Sequence, residues 1–445
     1  VEFSVRDVVI EAVREALKYG VSDVEALAVK RSPLMVKVAK GDVVVRKGEA
    51  LALGVRVALG KRVTVGGGSV RTLSDVKPMV EAIIKIARAS KEDPDWRGLP
   101  ERISASNVRS PYDVRIKLLD VRNLTNSMLK LSREAKGVDV TEVSFHSALV
   151  ERAISNTSLE VLEERFTRAT GYIEVKAMEG NIQSICHEYH MGYSVDEIKF
   201  DELLERASER ALRGLKITSV ETGRYTVILT PKVVAGIVNT IISPAITADN
   251  VQRGRSPLAG KIGESILGED ITIIDDPTRE GLYGTTAFDD EGVATRTKVV
   301  FRKGVLENFL YDTYTARVEG RESTGNAIRP SITASPRPQP LNLIMESGLE
   351  NLEDMISKVR RGIVVYETIG EWLSNPISGH LNATITYGEL YEDGVFKGVI
   401  RGAIVSGNFY QLFKYNIESV SRDLGNLYNV YTPAITIRDA VISAR

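Results

Sequence analysis

A single cysteine, Cys186, in 445 residues excludes an intrachain disulfide and a Cys-rich metal cage. Histidine is nearly as scarce, with four in the chain, so few imidazoles are on hand for catalysis. No apolar run approaches the ~20 residues that a membrane helix needs. The start, Val1-Glu2-Phe3-Ser4, has neither the basic nor the apolar part of a leader. Neither charge sign dominates. A net charge of −1 with the signs interspersed argues against counterion-driven nucleic-acid binding. The expectation is a cytoplasmic protein that contacts no membrane and does not bind DNA directly.

What is present is the balance of a globular chain: 43% hydrophobic, 26% charged, and long enough for two independently cored domains. Val9, Ile10, Val13, Ala16 and Leu17 recur at helical spacing, which predicts a helix over 6–19 ended by Gly20. From Val24 to Val65 the pattern turns to alternating strands, with turns at Gly41, Gly48 and Gly60. Helices follow over 74–89 and 118–135, strands between Val138 and Tyr189, and a charged amphipathic helix over 201–215. The polar stretch 218–223 reads as a boundary. After it come a strand over 225–229 and a helix opened by Thr230-Pro231, Thr at N-cap and Pro at N1. Hairpins are expected at 299–311 around Lys303-Gly304 and at 384–405 around Asp393-Gly394, and a helix over 349–360. The fold class is α+β in two domains, 1–218 and 219–445, the second rich in antiparallel sheet.

Cys186-His187-Glu188-Tyr189-His190 holds half of the histidines. On a strand, His187 and His190 point to opposite faces, and Cys186 and His190 stand roughly 13 Å apart, too far for one ion. The segment is read as structural. Arg253-Gly254 through Gly260-Lys261 fails as a phosphate loop: five residues separate the glycines and Ile262 replaces the metal-binding hydroxyl. No nucleophile elbow is visible. Asp289-Asp290-Glu291-Gly292 could hold a hard cation, but taken alone it reads as a solvated turn, as does Gly325-Asn326.

Asp290-Glu291-Gly292, Tyr314-Thr315-Ala316-Arg317, Ser323-Thr324-Gly325-Asn326, Arg361-Gly362-Ile363-Val364-Val365, Gly407-Asn408 and Pro433-Ala434-Ile435-Thr436-Ile437 occur in the order and spacing of a known family. The chain resembles the TldD/PmbA (modulator of DNA gyrase) family, and its TldE branch in particular. In TldD-type members an H-E-x-x-x-H helix and a later cysteine hold zinc. Arg253-Gly254 to Glu264 resembles the segment after that helix, and counting back without a gap puts the three motif positions at Asn239, Thr240 and Pro244. None is a zinc ligand or a base, and Pro244 should end the helix.

The resemblance therefore implies a non-catalytic subunit with a degenerate zinc site and no cofactor of its own. Zinc is expected in an H-E-x-x-x-H paralogue that pairs with it to degrade small or unfolded peptides, with a homodimer possible when the chain is alone. Asp290, Glu291, Gly292, Gly325 and Asn326 are the expected groove or partner contacts. The alternatives are a peptidase using 186–190 or 289–291 as its own metal site, or a DNA-gyrase-associated regulator.

Overall fold

The computed structural model describes residues 3–444; the start at Val1-Glu2 and the last residue, Arg445, lie outside it. Among the described residues, two large sheets divide the chain. The first has seven strands: β1 (Asp23–Ala39), β2 (Asp42–Lys47), β3 (Ala50–Leu59), β4 (Arg62–Ser69), β5 (Asp139–Asn156), β6 (Val161–Glu179) and β7 (Ile182–Gly192). They run in the order β4-β3-β1-β5-β6-β7, with β2 on the free half of β1. All of its pairings are antiparallel. α1 (Val5–Leu17) and α2 (Val76–Ala89) bury their apolar stripes against one end of this sheet.

Ser4 accepts from the Asp7 amide while the Asp7 carboxylate accepts from Ser4, a capping box that fixes where α1 begins. A short helix, α3 (Val114–Leu118), precedes the helix expected over 118–135, which is α4 (Val121–Glu134). Asp120 breaks them apart, because its carboxylate accepts the amides of Arg122 and Asn123 and so starts a new helix. α5 (Phe200–Arg213) packs Leu203, Ala207 and Ala211 onto β6 and β7.

Lys216 to Thr218 dock on the second sheet: the Thr218 amide donates to Val399 and the Val399 amide to Lys216. That sheet comprises β8 (Gly223–Leu229), β9 (Ile273–Asp275), β10 (Lys298–Arg302) and β11 (Val305–Leu306), with β12 (Ala327–Ile328) and β13 (Arg337–Pro338) forming a separate ribbon. It continues through β14 (Leu343–Met345), β15 (Arg361–Ile369), β16 (His380–Glu392), β17 (Val395–Ile400), β18 (Ile404–Asn408), β19 (Ile417–Leu427) and β20 (Val430–Ser443). Strands β20, β18, β16, β15 and β8 follow one another, and β8 pairs back with β20, closing a ring. The architecture is thus mixed α+β, with a distinct C-terminal region rich in sheet.

Three expected elements differ. The second arm of the 299–311 hairpin pairs only at Val305–Leu306, because the Leu310 amide donates instead to Ile246, at the C-terminal end of the preceding helix over 231–245. The arm 395–405 is broken at Arg401-Gly402, where Gly402 has φ +79, so β17 and β18 pair with successive halves of β16. The helix over 349–360 shortens to Leu352–Ser357, opened by Asn351 accepting from the Asp354 amide.

Candidate functional site

α6 (Pro231–Ala245) starts at the Thr230-Pro231 step, and its stripe Val234, Ile237, Val238, Ile241 and Ile242 is fully buried in the core of the second sheet. Burial of that stripe fixes how the helix is rotated, and so leaves Asn239 exposed and Thr240 half-buried on the other side. The Thr240 hydroxyl donates to the Gly236 carbonyl at 2.9 Å. Pro244 does not end the helix as expected. It sits in the last turn, Ala245 follows it in helical conformation, and the carbonyl of Pro244 accepts from Thr247 and Asn250.

Asn239 and Thr240 open onto a cleft of ≈ 510 Å³ between α6, β7 and the end of β15. Its other wall is the segment whose sequence reading was structural: His187, Glu188 and Tyr189 line the same cleft. His187 and His190 lie on one strand with opposite orientations and different acidic neighbours, Glu367 and Glu197, each at 3.8 Å. Glu188 receives Lys232 Nζ at 2.9 Å and also the Arg210 guanidinium. Burial pushes the Glu188 carboxyl up, but Arg210 and Lys232 outweigh it and hold its pKa below the ordinary glutamate value. Lys232 Nζ lies 3.9 Å above the Tyr189 ring, and desolvation there lowers its pKa although Glu188 pulls the other way.

Sequence reasoning missed Lys232, Arg210, Glu367 and Trp372, the last lying 67% exposed at the rim. Each comes from a different element, and no local spacing marks any of them. β8 pairs with β15 only over Gly362–Val365, so Tyr366 to Ile369 run on past it, and Glu367, Thr368 and Ile369 face into the cleft.

Zinc requires three or four N, S or O donors converging at roughly 2.0–2.3 Å. Asn239 and Thr240 present neutral oxygens and Pro244 no donor, so this set does not fit the ion. Among the described residues no group of three or more His, Cys, Asp or Glu side chains is arranged to hold a metal.

The acidic motif lies elsewhere, and its reading is corrected. Asp289, Asp290 and Glu291 are not a solvated turn; Glu291 is 1% exposed and Asn326 is fully buried. Instead they join the two sheets. Arg56 on β3 bridges Glu25 at 2.9 Å and Glu291 at 2.8 Å, and Arg329 pairs with Glu25 from the other side. Arg152 on β5 reaches Asp290 at 2.6 Å and Glu164 at 2.8 Å.

The two turn motifs meet there as well. Asp289 accepts from the Ala327 amide and Asp290 from the Arg329 amide, just beyond Gly325-Asn326. The Asn326 side-chain Nδ2 donates to Asp275 at 2.7 Å. Gly292 has φ +73, and a Cβ on it would stand 2.6 Å from Ile103 Cγ2. These side chains are buried and partnered within the chain; of the five expected contacts, Asp290 borders a cavity, beside Arg152 and Arg329.

The family model of the PmbA/TldA metallopeptidase C-terminal domain matches residues 222–444, the whole of the second sheet. The chain belongs to the TldD/PmbA family. TldE from Thermococcus kodakarensis superposes with a TM-score of 0.90 at 25% identity, covering 97% of this chain and 98% of that one, which places the chain in the TldE-type branch. An uncharacterized protein of Methanocaldococcus jannaschii is 32% identical over 292 residues, 66% of this chain and 66% of its own length. A metalloprotease of Methanothermobacter thermautotrophicus is 28% identical over 291 residues, 64% of this chain and 63% of its own. The aligned stretches thus span about two thirds of these curated relatives. No helix among the described residues is long and apolar enough to cross a membrane.

Proposed function

We propose that this chain is the non-catalytic, TldE-type subunit of a TldD/TldE zinc-dependent protease, in which it supports proteolysis of small or unfolded peptides by an H-E-x-x-x-H paralogue. Its domains in this reading are 1–218 and 219–445, and it works in the cytoplasm. The observation that carries the proposal is the cleft. Asn239 and Thr240, at the positions where the resemblance puts a zinc ligand and the general base, line an open cavity yet supply neither imidazole nor carboxylate.

The cleft keeps features suited to an extended chain. The end of β15 runs uncovered beside α6, where a peptide can add as a further strand, and Trp372, Ile369 and Leu427 offer apolar contacts along it. Subunits sharing one fold commonly pair through related surfaces, and a stable interface buries well over ~1,000 Å². The test mixes the purified chain with its paralogue. The expected result is co-elution in size exclusion at micromolar concentration and a changed rate or range of peptide cleavage, the isolated chain being inert and free of stoichiometric zinc. Separate elution with unchanged cleavage would overturn the proposal.

A further inference from the structure

Arg168, half-buried on β6, differs from the arginines held in the interior. Arg56, Arg152, Arg210 and Arg329 each grip at least one carboxylate. Arg168 enters no ion pair among the described residues; its guanidinium donates only to the Thr167 carbonyl at 2.8 Å. It is held between the rings of Phe166 at 4.4 Å and Tyr283 at 4.5 Å. Glu164, the acidic side chain that most affects it, is already taken by Arg152 at 2.8 Å and by the Thr286 hydroxyl at 2.9 Å. Partial desolvation lowers the Arg168 pKa to about 10, only partly offset by Tyr283 and Glu164.

A cavity of ≈ 480 Å³ opens beside it, lined also by Arg46, Lys47, His146 and Tyr283, and no carboxylate lines it. Neither Arg46 nor Lys47 enters an ion pair among the described residues, although both sit on the exposed strand β2. Three cations thus border a space that no carboxylate lines among the described residues. A guanidinium held against two rings, with one of its nitrogens donating to a backbone carbonyl, keeps N–H donors free for an oxyanion.

We propose that this cavity is a receptor for the terminal carboxylate of an extended peptide, with Arg168 as the bidentate contact and Arg46 and Lys47 as its electrostatic rim. The peptide character of the ligand rests on the functional reading above. The sheet supplies the connection: Arg168, Thr170 and Tyr172 alternate onto one face of β6. Tyr172 stacks on His187, which lines the α6 cleft, at 5.6 Å. From Tyr172 to Arg168 is four residues of strand, roughly 13 Å, about the reach of four extended peptide residues. A chain lying in the cleft can therefore place its C-terminus on Arg168, so that the pocket measures substrate ends while the β15 edge holds substrate backbone.

The experiment titrates the full-length chain with a short N-terminally labelled peptide, as the free acid and as the C-terminal amide, and reads fluorescence anisotropy. The acid is expected to bind about tenfold more tightly than the amide, a preference abolished by Arg168→Met while amide binding persists. Arg46→Gln with Lys47→Gln, on an exposed strand where folding is not at stake, is expected to cut the preference about threefold and to flatten its salt dependence. This pair carries the test if Arg168→Met does not fold. Equal binding of acid and amide would overturn the carboxylate receptor and leave the peptide cleft standing. Failure of both peptides to bind would overturn the receptor and the peptide reading together. Stronger competition by inorganic phosphate than by acetate would reassign the cavity to phosphate and overturn the carboxylate.

Discussion

At the joint between the two sheets, Arg56, Glu25, Glu291 and Arg329 form a chain of ion pairs sealed from water; at the cleft beside α6, Glu188, Arg210, Lys232 and Glu367 form another that is partly open. The residue types are the same and the uses differ. In the joint Glu25 is gripped by two guanidinium groups and Glu291 also accepts the Thr313 amide at 2.8 Å, while Asp289 and Asp290 beside it accept those of Ala327 and Arg329, so the network specifies one docking of the sheets. In the cleft the charges border empty volume and have capacity left for a ligand. Clustered charge thus becomes structural or available according to whether backbone donors and opposing side chains close over it.

The comparison breaks most sharply at Arg56. Arg56→Met leaves Glu291 without its cation and Glu25 with Arg329 alone, and breaking a buried pair in this way costs about 3–5 kcal/mol. Urea unfolding should show a loss of that size, and a loss under ~1 kcal/mol would mean that the joint does not hold the sheets together. Next in size is Gly325→Ala. Gly325 has φ +71, and a Cβ there would stand 2.6 Å from the Ala294 carbonyl oxygen, so about 2–3 kcal/mol is expected. Gly254→Ala sharpens the point: φ is +66 but the space around it is open, so about 1 kcal/mol is expected. Equal costs would show that backbone conformation alone, and not the packing of the joint, matters at Gly325.

A smaller effect is written in pH. Burial, and then Glu291, raise the Asp312 carboxyl to about 7. The folded chain therefore holds a proton that an unfolded aspartate, near ~3.9, gives up. The stability that this contributes is complete below the unfolded value and is lost as pH rises through the folded one. Moving from pH 8 to pH 6 should accordingly stabilise the protein by on the order of 1 kcal/mol. Asp289 is raised in the same sense, by burial and then by Glu291. Asp312→Asn keeps an oxygen for the Thr315 amide and should reduce the slope; an unchanged slope would remove Asp312 from the joint's titration.

The helices and strands with one buried face were legible because periodicity reports burial directly, as in α1, and so was the apolar stripe of α6, which set Asn239 and Thr240 on its open side. The acidic motif was misread for a physical reason. Asp289-Asp290-Glu291 looks solvated while its partners are unknown, and those partners, Arg56, Arg152 and Arg329, lie far away in sequence on other elements. The cleft was half legible. The segment 186–190 and the positions 239–240 each stood out, but only the packing of β7 against the start of α6, through Lys232 and Glu188, brings them together.

The smallest effect on stability is expected in that cleft, and it says most about function. Asn239 is exposed and Thr240 bonds only to its own helix backbone, so Asn239→Ala and Thr240→Ala should each shift unfolding by less than ~0.5 kcal/mol. If the cleft receives peptide, the same substitutions should alter cleavage by the assembled pair with its paralogue while leaving assembly itself intact. The converse change is as informative. Asn239→His with Thr240→Glu restores an imidazole and a carboxylate, but Pro244 still supplies no third donor. His187 is engaged between Tyr172 and Tyr189 and beside Glu367. A site with fewer than three protein ligands holds zinc weakly, so the double variant should take up no stoichiometric zinc on dialysis and should cleave nothing alone. Tightly bound zinc in that variant would mean that His187 or Glu367 swings in to complete the site. The cleft would then be two substitutions short of a metal centre, and its separation from the catalytic branch would rest on Asn239 and Thr240 alone.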